Sequence, residues 1–395
     1  MSPGKWWCVA AVVWIMWMMM YHRLAFTTTW RPWHHLASNI TWTLQHHLPP
    51  KQTFTRSNTS HATFTKECYT YSGVTARNTC CKLHDYRDGL DLLNCIKSSY
   101  VDHVLHQRQN MSEVAELSWF SMISQAKERV NADSVHHSTE GVHWALVGDS
   151  HVRYITDVII RRLATTGLQY TERSFEGVWH EVYKLLNLMR MSVYTEDLEV
   201  RHMVVPFYLT WYRDTFLQRL PELIRQWEAG EQLKPTLLIL DCGLHWMVRS
   251  HKISMELGEE AAAVPYKEQL RSLAPQLTRL AATTTIIFKL LDDIPAVHGS
   301  HSDKNWLTLK NLQLYNSIVR ESLEGTGVIL WDSTLPLSQA YTSECVLRPK
   351  SLFPSYSWKC FDENHVGYIV VEQYADMILN DVCNKYMNLK PEYCP

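Results

Sequence analysis

Three side chains of this sequence have the types and the order that nucleophilic acyl transfer requires. Ser150 follows Gly148 and Asp149 at the end of an apolar segment, and Asp362 and His365 lie near the end of the chain. A serine hydroxyl needs a base, and an aspartate three residues before a histidine can orient the imidazole and fix its tautomer. We therefore predict that Ser150 is a nucleophile, that His365 is its base and that Asp362 orients His365.

Each half of this pattern also has an ordinary structural explanation. Ser150 could simply cap a helix, since serine and aspartate favour that position. Residues 362–365 could form a surface turn before the last helix. The order of the two halves, together with a strand before Ser150 and a helix after it, favours a catalytic pair.

Further residues could complete a site around Ser150. Gly243 follows an apolar strand and could allow close backbone approach to a ligand, while His245 could donate a hydrogen bond to an oxyanion. Trp246 could stack on a sugar, although a loop histidine beside a core tryptophan explains the same two residues. Gly177 could supply another oxyanion N–H. The amide of Ser150 itself would lie at a helix N-terminus, where backbone N–H groups are unpaired.

The elements that must position these residues alternate between apolar strands and amphipathic helices. The sequence predicts strands at 143–148, 202–207, 236–242, 283–291 and 327–332, and helices at 151–164, 212–228, 306–324 and 366–386. This alternation predicts an α/β fold, a three-layer α/β/α arrangement with a mostly parallel sheet. The active site of such a sheet lies beyond the carboxyl ends of the strands, where Ser150 is expected.

The composition narrows the class of protein. The chain has 395 residues, 46% of them hydrophobic, so a large core can form. Lys and Arg number 38 against 40 Asp and Glu, a net charge of -2 without a basic block, which argues against a nucleic-acid partner. Adjacent histidines rarely converge on one ligand, so the pairs at 34–35, 46–47 and 136–137 predict no metal site. We expect no cofactor, and the sequence predicts no particular oligomeric state.

The N-terminal segment is apolar and predicts a membrane anchor. Residues 6–21 carry no charge and follow Lys5. As a helix the segment would be about 24 Å long, which suits a thin bilayer. A cleaved signal peptide or a buried helix are the alternatives. A membrane anchor predicts a single-pass type II protein of a Golgi or other secretory-pathway membrane, with the catalytic domain in the lumen. The chain would then divide into a cytoplasmic tail 1–5, a signal-anchor helix 6–21, a luminal stem 22–65, a disulfide-pinned lead-in 66–141 and a catalytic domain 142–395.

Cysteines and glycosylation motifs agree with an oxidising compartment. Three sequons begin at Asn39, Asn58 and Asn110. Cys8 lies in the apolar segment, and Cys242 lies inside a predicted strand as a buried free thiol. The other eight predict up to four disulfides, with zinc binding as the alternative: Cys68, Cys80, Cys81, Cys95, Cys345, Cys360, Cys383 and Cys394.

Three sequence blocks resemble SGNH-type esterases of the PC-esterase branch. Gly148-Asp149-Ser150 with Arg153 resembles the first block, Gly243-Leu244-His245-Trp246 the third, and Asp362 with His365 the last. The branch includes trichome-birefringence-like polysaccharide O-acetyltransferases and the luminal domain of sialate O-acetyltransferase. The resemblance covers about residues 142–386.

The resemblance implies an acyl-ester enzyme that transfers O-acetyl groups to glycans or glycoproteins, or removes them. It implies the catalytic roles given above for Ser150, Asp362 and His365, and structural roles near the site for Asp149 and Arg153. An inactive glycan- or protein-binding module with the same fold is the alternative, and a lipid or small-ester hydrolase is a third possibility.

Overall fold

An eight-stranded mixed sheet runs through the described part of the chain. Its order is β10-β9-β8-β3-β7-β6-β4-β5, and a separate two-stranded hairpin is formed by β1 and β2. The first five strands of that order are parallel, and the last three join by antiparallel pairs. The bounds are β1 Tyr69–Ser72, β2 Thr75–Asn78, β3 Val142–Gly148, β4 Leu168–Glu172, β5 His180–Glu181, β6 Leu198–His202, β7 Phe207–Arg213, β8 Leu237–Asp241, β9 Thr285–Lys289 and β10 Ile329–Trp331.

The structure is a computed structural model that describes most of the second half of the chain and part of the first. The described residues are 69–79, 82–109, 141–172, 178–190, 196–298, 306–347, 357–390 and 393. All of them belong to one unit, His61–Pro395.

Strand β3 is buried along its whole length and separates two hydrophobic cores. Trp144 and Leu146 belong to one core, and Ala145 and Val147 belong to the other. Since successive side chains of a strand point to opposite faces, apolar residues at every position require cover on both sides. The described residues therefore form an α/β fold with a central sheet between two helical layers.

Ten α-helices are described around this sheet. One core includes residues of α1, α2 and α10, and the other includes residues of α4, α7 and α8. The bounds are α1 Gly89–Gln109, α2 Ser150–Leu163, α3 Val182–Arg190, α4 Leu220–Glu228, α5 Leu244–Arg249, α6 His251–Leu257, α7 Glu259–Ala281, α8 Leu309–Leu323, α9 Leu335–Leu347 and α10 Tyr368–Cys383.

Four of the five predicted strands are observed close to their predicted bounds, but the strand predicted at 202–207 is wrong. Strand β6 ends at His202 and β7 begins at Phe207, so the segment is mainly a turn. The His202 ring closes that turn by accepting hydrogen bonds from the amides of Val204 and Val205. The apolar run at 202–207, which contains Pro206, therefore links two strands and is not itself a strand.

The helix predicted at 212–228 begins later than expected, at Leu220. Strand β7 continues to Arg213, and the Asp214 carboxylate then accepts hydrogen bonds from the amides of Gln218, Arg219 and Leu220. These bonds satisfy amides that have no partner within the helix. The remaining predicted helices match α2, α8 and α10.

Two disulfides are seen among the described residues. Cys95–Cys383 joins α1 to α10, and Cys345–Cys360 joins α9 to the segment before α10. Cys242 is free and buried, as predicted. The other cysteines of the predicted disulfide set lie outside the described residues: Cys68, Cys80, Cys81 and Cys394.

The predictions for the N-terminal part also lie outside the described residues. They concern the tail, signal-anchor helix and stem across 1–65, and the sequons at Asn39, Asn58 and Asn110. Among the residues that are described, no helix combines the length and apolar character needed to cross a membrane.

We expect loss of the Cys95–Cys383 disulfide to destabilise the protein more than loss of Cys345–Cys360. The sequence separations are 288 and 15 residues, and a longer closed loop restricts the unfolded chain more. The chain-entropy estimate is about 3 kcal/mol for the short loop and roughly 6 kcal/mol for the long one. Denaturant unfolding of two double variants measures the difference, one with Cys95→Ala and Cys383→Ala and the other with Cys345→Ala and Cys360→Ala. Equal losses of unfolding free energy would contradict the prediction.

Candidate active site

The site begins where β3 ends and α2 starts, at the carboxyl edge of the parallel strands. Gly148 has a φ of +155°, and a Cβ there would lie 2.3 Å from the carbonyl oxygen of Asp241. Only glycine fits this approach of β3 to β8. The chain then turns through Asp149, and Ser150 opens the helix.

Asp149, and not Ser150, caps helix α2. The Asp149 side chain accepts a hydrogen bond of 2.9 Å from the amide of His151, and its carbonyl accepts one from the amide of Arg153. A side-chain cap of this kind satisfies an amide that the helix leaves unpaired. The capping explanation for Ser150 is therefore wrong, and the Ser150 hydroxyl is free to contact another group.

The Ser150 hydroxyl contacts the imidazole of His365. Its Oγ lies 2.6 Å from Nε2 of His365, across 215 positions of sequence. The other ring nitrogen, Nδ1, lies 2.9 Å from both carboxylate oxygens of Asp362. With Nδ1–H donating to Asp362, Nε2 is left to accept the serine proton, which is the arrangement a general base needs.

The surroundings keep His365 neutral and Asp362 ionised. Burial lowers the pKa of His365 below its ordinary value, and nearby His151 lowers it further, against the raising effect of Asp362. Burial raises the pKa of Asp362, but hydrogen bonds from His365 and Lys359 outweigh it and hold that pKa well below its usual range. A neutral imidazole beside an ionised carboxylate is the resting state required for proton abstraction.

Lys359 is a member of the site that the sequence did not reveal. It is buried, its Nζ lies 2.9 Å from Oδ2 of Asp362, and it also bonds to the Tyr154 hydroxyl. The Tyr154 ring lies 5.0 Å from the His365 ring, between centroids. Lys359 has a φ of +48°, uncommon for a residue with a side chain, and the neighbouring Cys360 ties the segment to α9. Asp362 is thus held from a second side.

A layer of buried charges lies close to the nucleophile. Nζ of Lys289 lies 2.8 Å from Asp292 and 3.5 Å from Asp241, and Nδ1 of His151 lies 3.2 Å from Asp292. With Asp149, these groups form what we call the buried charge layer, each of them at most 6% exposed. The sequence holds a signal for it, because β8 and β9 each end in a charged residue.

The third predicted block does not form the ligand surface expected of it. A Cβ on Gly243 would lie 2.7 Å from the Leu291 side chain, so the space left by this glycine is filled by the protein itself. Trp246 is 5% exposed, and its ring packs edge-on against Phe216, so the prediction that it stacks on a sugar is wrong. Tertiary contacts bury this ring, and a local sequence pattern does not show such contacts.

The remaining predicted residues have other surroundings. His245 lies in the first turn of α5 with its ring 6.2 Å from that of Phe216, and in the described part of the chain no hydrogen bond joins it to Ser150. Arg153 is buried, with its guanidinium 5.1 Å from the Tyr154 ring. Gly177 lies outside the described residues. Among those that are described, no group of three or more His, Cys, Asp or Glu side chains is arranged to hold a metal ion.

Comparisons with known proteins give structural likeness only. No protein-family model matches the chain, and no match is found among curated proteins. The acetylxylan esterase Axe2 from Geobacillus stearothermophilus is similar at 15% identity and a TM-score of 0.34, over 63% of this chain and 98% of that one. A protein described as a GDSL-like lipase from Parabacteroides merdae is similar at 12% identity and a TM-score of 0.35, over 61% and 95%. TM-scores of this size assign no activity. The evidence for an activity is the arrangement of the side chains described above.

We expect Gly148→Ala to destabilise the protein more than Gly230→Ala. Gly230 has a φ of +71° and open space around it, so its substitution costs only the backbone term, about 1–2 kcal/mol. At Gly148 the added Cβ also meets the Asp241 carbonyl, and such overpacking costs roughly 1–3 kcal/mol more. Denaturant unfolding of both variants separates the two terms. Equal losses would show that β3 and β8 are not held this close.

Proposed function

We propose that the chain is a serine ester hydrolase. Ser150 attacks the acyl carbonyl, His365 takes the serine proton, and Asp362 holds the imidazole in the tautomer that can accept it. The observation that carries this assignment is the unbroken line of hydrogen bonds from Ser150 Oγ through the His365 ring to Asp362.

The reaction then follows from the positions of these groups. As the bond from Ser150 Oγ to the acyl carbon forms, the carbonyl oxygen becomes an oxyanion near the N-terminus of α2. Unpaired amides and the partial positive charge of that helix end stabilise negative charge. The His365 imidazolium next gives its proton to the leaving alcohol, and an acyl-enzyme remains. Water attacks the acyl-enzyme after losing a proton to His365, which returns the acid and free Ser150.

The proposed substrate is an acylated glycan or glycoprotein, and the proposed acyl group is acetyl. The support is the resemblance of the first and last sequence blocks to the PC-esterase branch, carried by Ser150, Arg153, Asp362 and His365. Transfer of the acetyl group to a sugar hydroxyl is the variant of the same chemistry in which an acceptor alcohol replaces water. The apolar segment 6–21, the sequons and the paired cysteines support a luminal, membrane-anchored enzyme.

Ser150→Ala tests the nucleophile. We expect the variant to lose at least about 99% of its hydrolysis of p-nitrophenyl acetate, because removing the nucleophile of such a triad costs several orders of magnitude in rate. It should also lose labelling by a fluorophosphonate. Ser272→Ala is the matched control, since Ser272 is an exposed helix serine, and it should keep both activities. Full activity in Ser150→Ala would refute the mechanism, and a wild-type protein that binds acetylated glycans without turnover would be a binding module.

A panel of esters tests the acyl group. We expect a higher kcat/KM for p-nitrophenyl acetate than for the octanoate, because the rings of His151 and Tyr154 and the charge of Lys359 crowd the surroundings of His365. A long alkyl chain would gain little from such polar neighbours. Acetylated xylo-oligosaccharides in the same panel measure the contribution of the sugar. A preference for the octanoate would favour a lipid esterase instead.

A further inference from the structure

The site contains a second histidine that the mechanism does not use. His151 directly follows Ser150 on α2, and its ring is buried, with 6% of the residue exposed. The centroid of this ring lies 5.0 Å from that of His365. Two imidazoles this close in a buried setting cannot both carry a proton without strong mutual repulsion.

The charges around His151 are unbalanced in a way that favours its protonated form. Three carboxyl groups act on His151, those of Asp149, Asp241 and Asp292, and the buried charge layer holds only one ammonium group, that of Lys289. Burial raises the pKa of Asp241 to about 7, so its charge is only partial near neutral pH. Even without that charge, the carboxylates of Asp149 and Asp292 outnumber the ammonium of Lys289 when His151 is neutral. Buried charges without partners are costly, so the layer draws a proton to His151.

We propose that His151 is a positioning residue that, as a buried imidazolium on the buried charge layer, keeps His365 in the neutral form that can accept the Ser150 proton. This role rests on the function proposed for Ser150 and His365. His151 touches no reacting atom in this scheme and acts through His365. Its effect is to extend the activity of the base to lower pH.

The electrostatic surroundings of both rings agree with this division of charge. Burial lowers the pKa of His151, but the hydrogen bond to Asp292 and the charges of Asp149 and Asp241 outweigh burial and raise it to about 8. Burial and His151 lower the pKa of His365 below its ordinary 6.5. Near neutral pH, His151 is therefore charged while His365 is neutral. As pH rises through about 8, the charge on His151 is lost.

The charged and titratable groups around the two rings come from several elements. On α2, buried Arg153 lies one turn after Asp149, with its guanidinium 5.1 Å from the Tyr154 ring, which in turn lies 5.0 Å from the His365 ring between centroids. Asp149 comes from the start of α2, Asp241 from the end of β8, and Lys289 with Asp292 from the end of β9. From α10, the Tyr374 hydroxyl donates to Asp292 with an oxygen–oxygen distance of 2.8 Å. Next to His365 lie Asp362 and Lys359, an ion pair with one charge of each sign.

A His151→Asn variant separates charge from structure. The asparagine amide can reproduce a hydrogen bond from the Nδ1 position to Asp292 but cannot carry a proton. We expect the acid limb of the pH profile of kcat/KM to lie below 6.5 in the wild type and to move to higher pH in the variant. Activity near pH 5 relative to about pH 7.5 should fall by roughly threefold or more. His143→Asn is the matched control, because His143 is equally buried and bonds to Leu233 and Thr210 instead.

Two outcomes would overturn the role of His151. One is an acid limb unchanged in His151→Asn, even with lower overall activity, which would mean a purely structural part. The other is a His151 ring found neutral near pH 7 by titration of the histidine ring nitrogens in nuclear magnetic resonance spectra. That spectrum, assigned with the His151→Asn and His365→Asn variants, does not depend on turnover. An inactive protein that still shows a charged His151 beside a neutral His365 would refute the esterase and leave this charge arrangement in place.

Discussion

The 2.6 Å contact between Ser150 Oγ and His365 Nε2 joins two parts of the chain that are 215 residues apart, and the rest of the fold holds both of its ends in place. Ser150 is fixed because α2 is buried along most of its length and follows directly from the buried strand β3. His365 is fixed because α10, which packs on α2, begins three residues later. The hydroxyl and the imidazole therefore meet through the packing of two helices on one face of the sheet.

The segment that carries Asp362 and His365 has further restraints of its own. The Ala296 amide donates a hydrogen bond to the carbonyl of Glu363, and Lys359 pairs with Asp362. A carboxylate that orients an imidazole must itself be held, because a loose partner would let the ring turn away from the serine. The buried lysine supplies both a charge and a fixed position, and removing one partner of such a pair costs about 3–5 kcal/mol.

The sequence revealed those parts of the site that depend on local pattern. The apolar run before Gly148 and the amphipathic run after Ser150 are each complete within a few residues, and β3 and α2 appear where they predict. Lys359 gave no such signal, because a lysine is expected at the surface unless the carboxylate that pairs with it is known. Its partner Asp362 lies only three residues away, but closeness in sequence does not show that Lys359 is buried. The sequence also did not predict the antiparallel strands β4, β5 and β6, because their pairing depends on contacts between segments and not on their own composition.

The two outermost strands of the main sheet are short. Strand β10 at one edge has three residues, and β5 at the other spans only His180–Glu181. An exposed edge offers unpaired amides and carbonyls to which another polypeptide can add as a further strand. Edges this short present few such groups, so a neighbouring molecule gains little by extending the sheet. The longer parallel strands lie in the centre of the sheet, where their backbone groups are already paired with neighbouring strands. They are therefore not available for pairing with another molecule, which protects the protein from fibril-like aggregation.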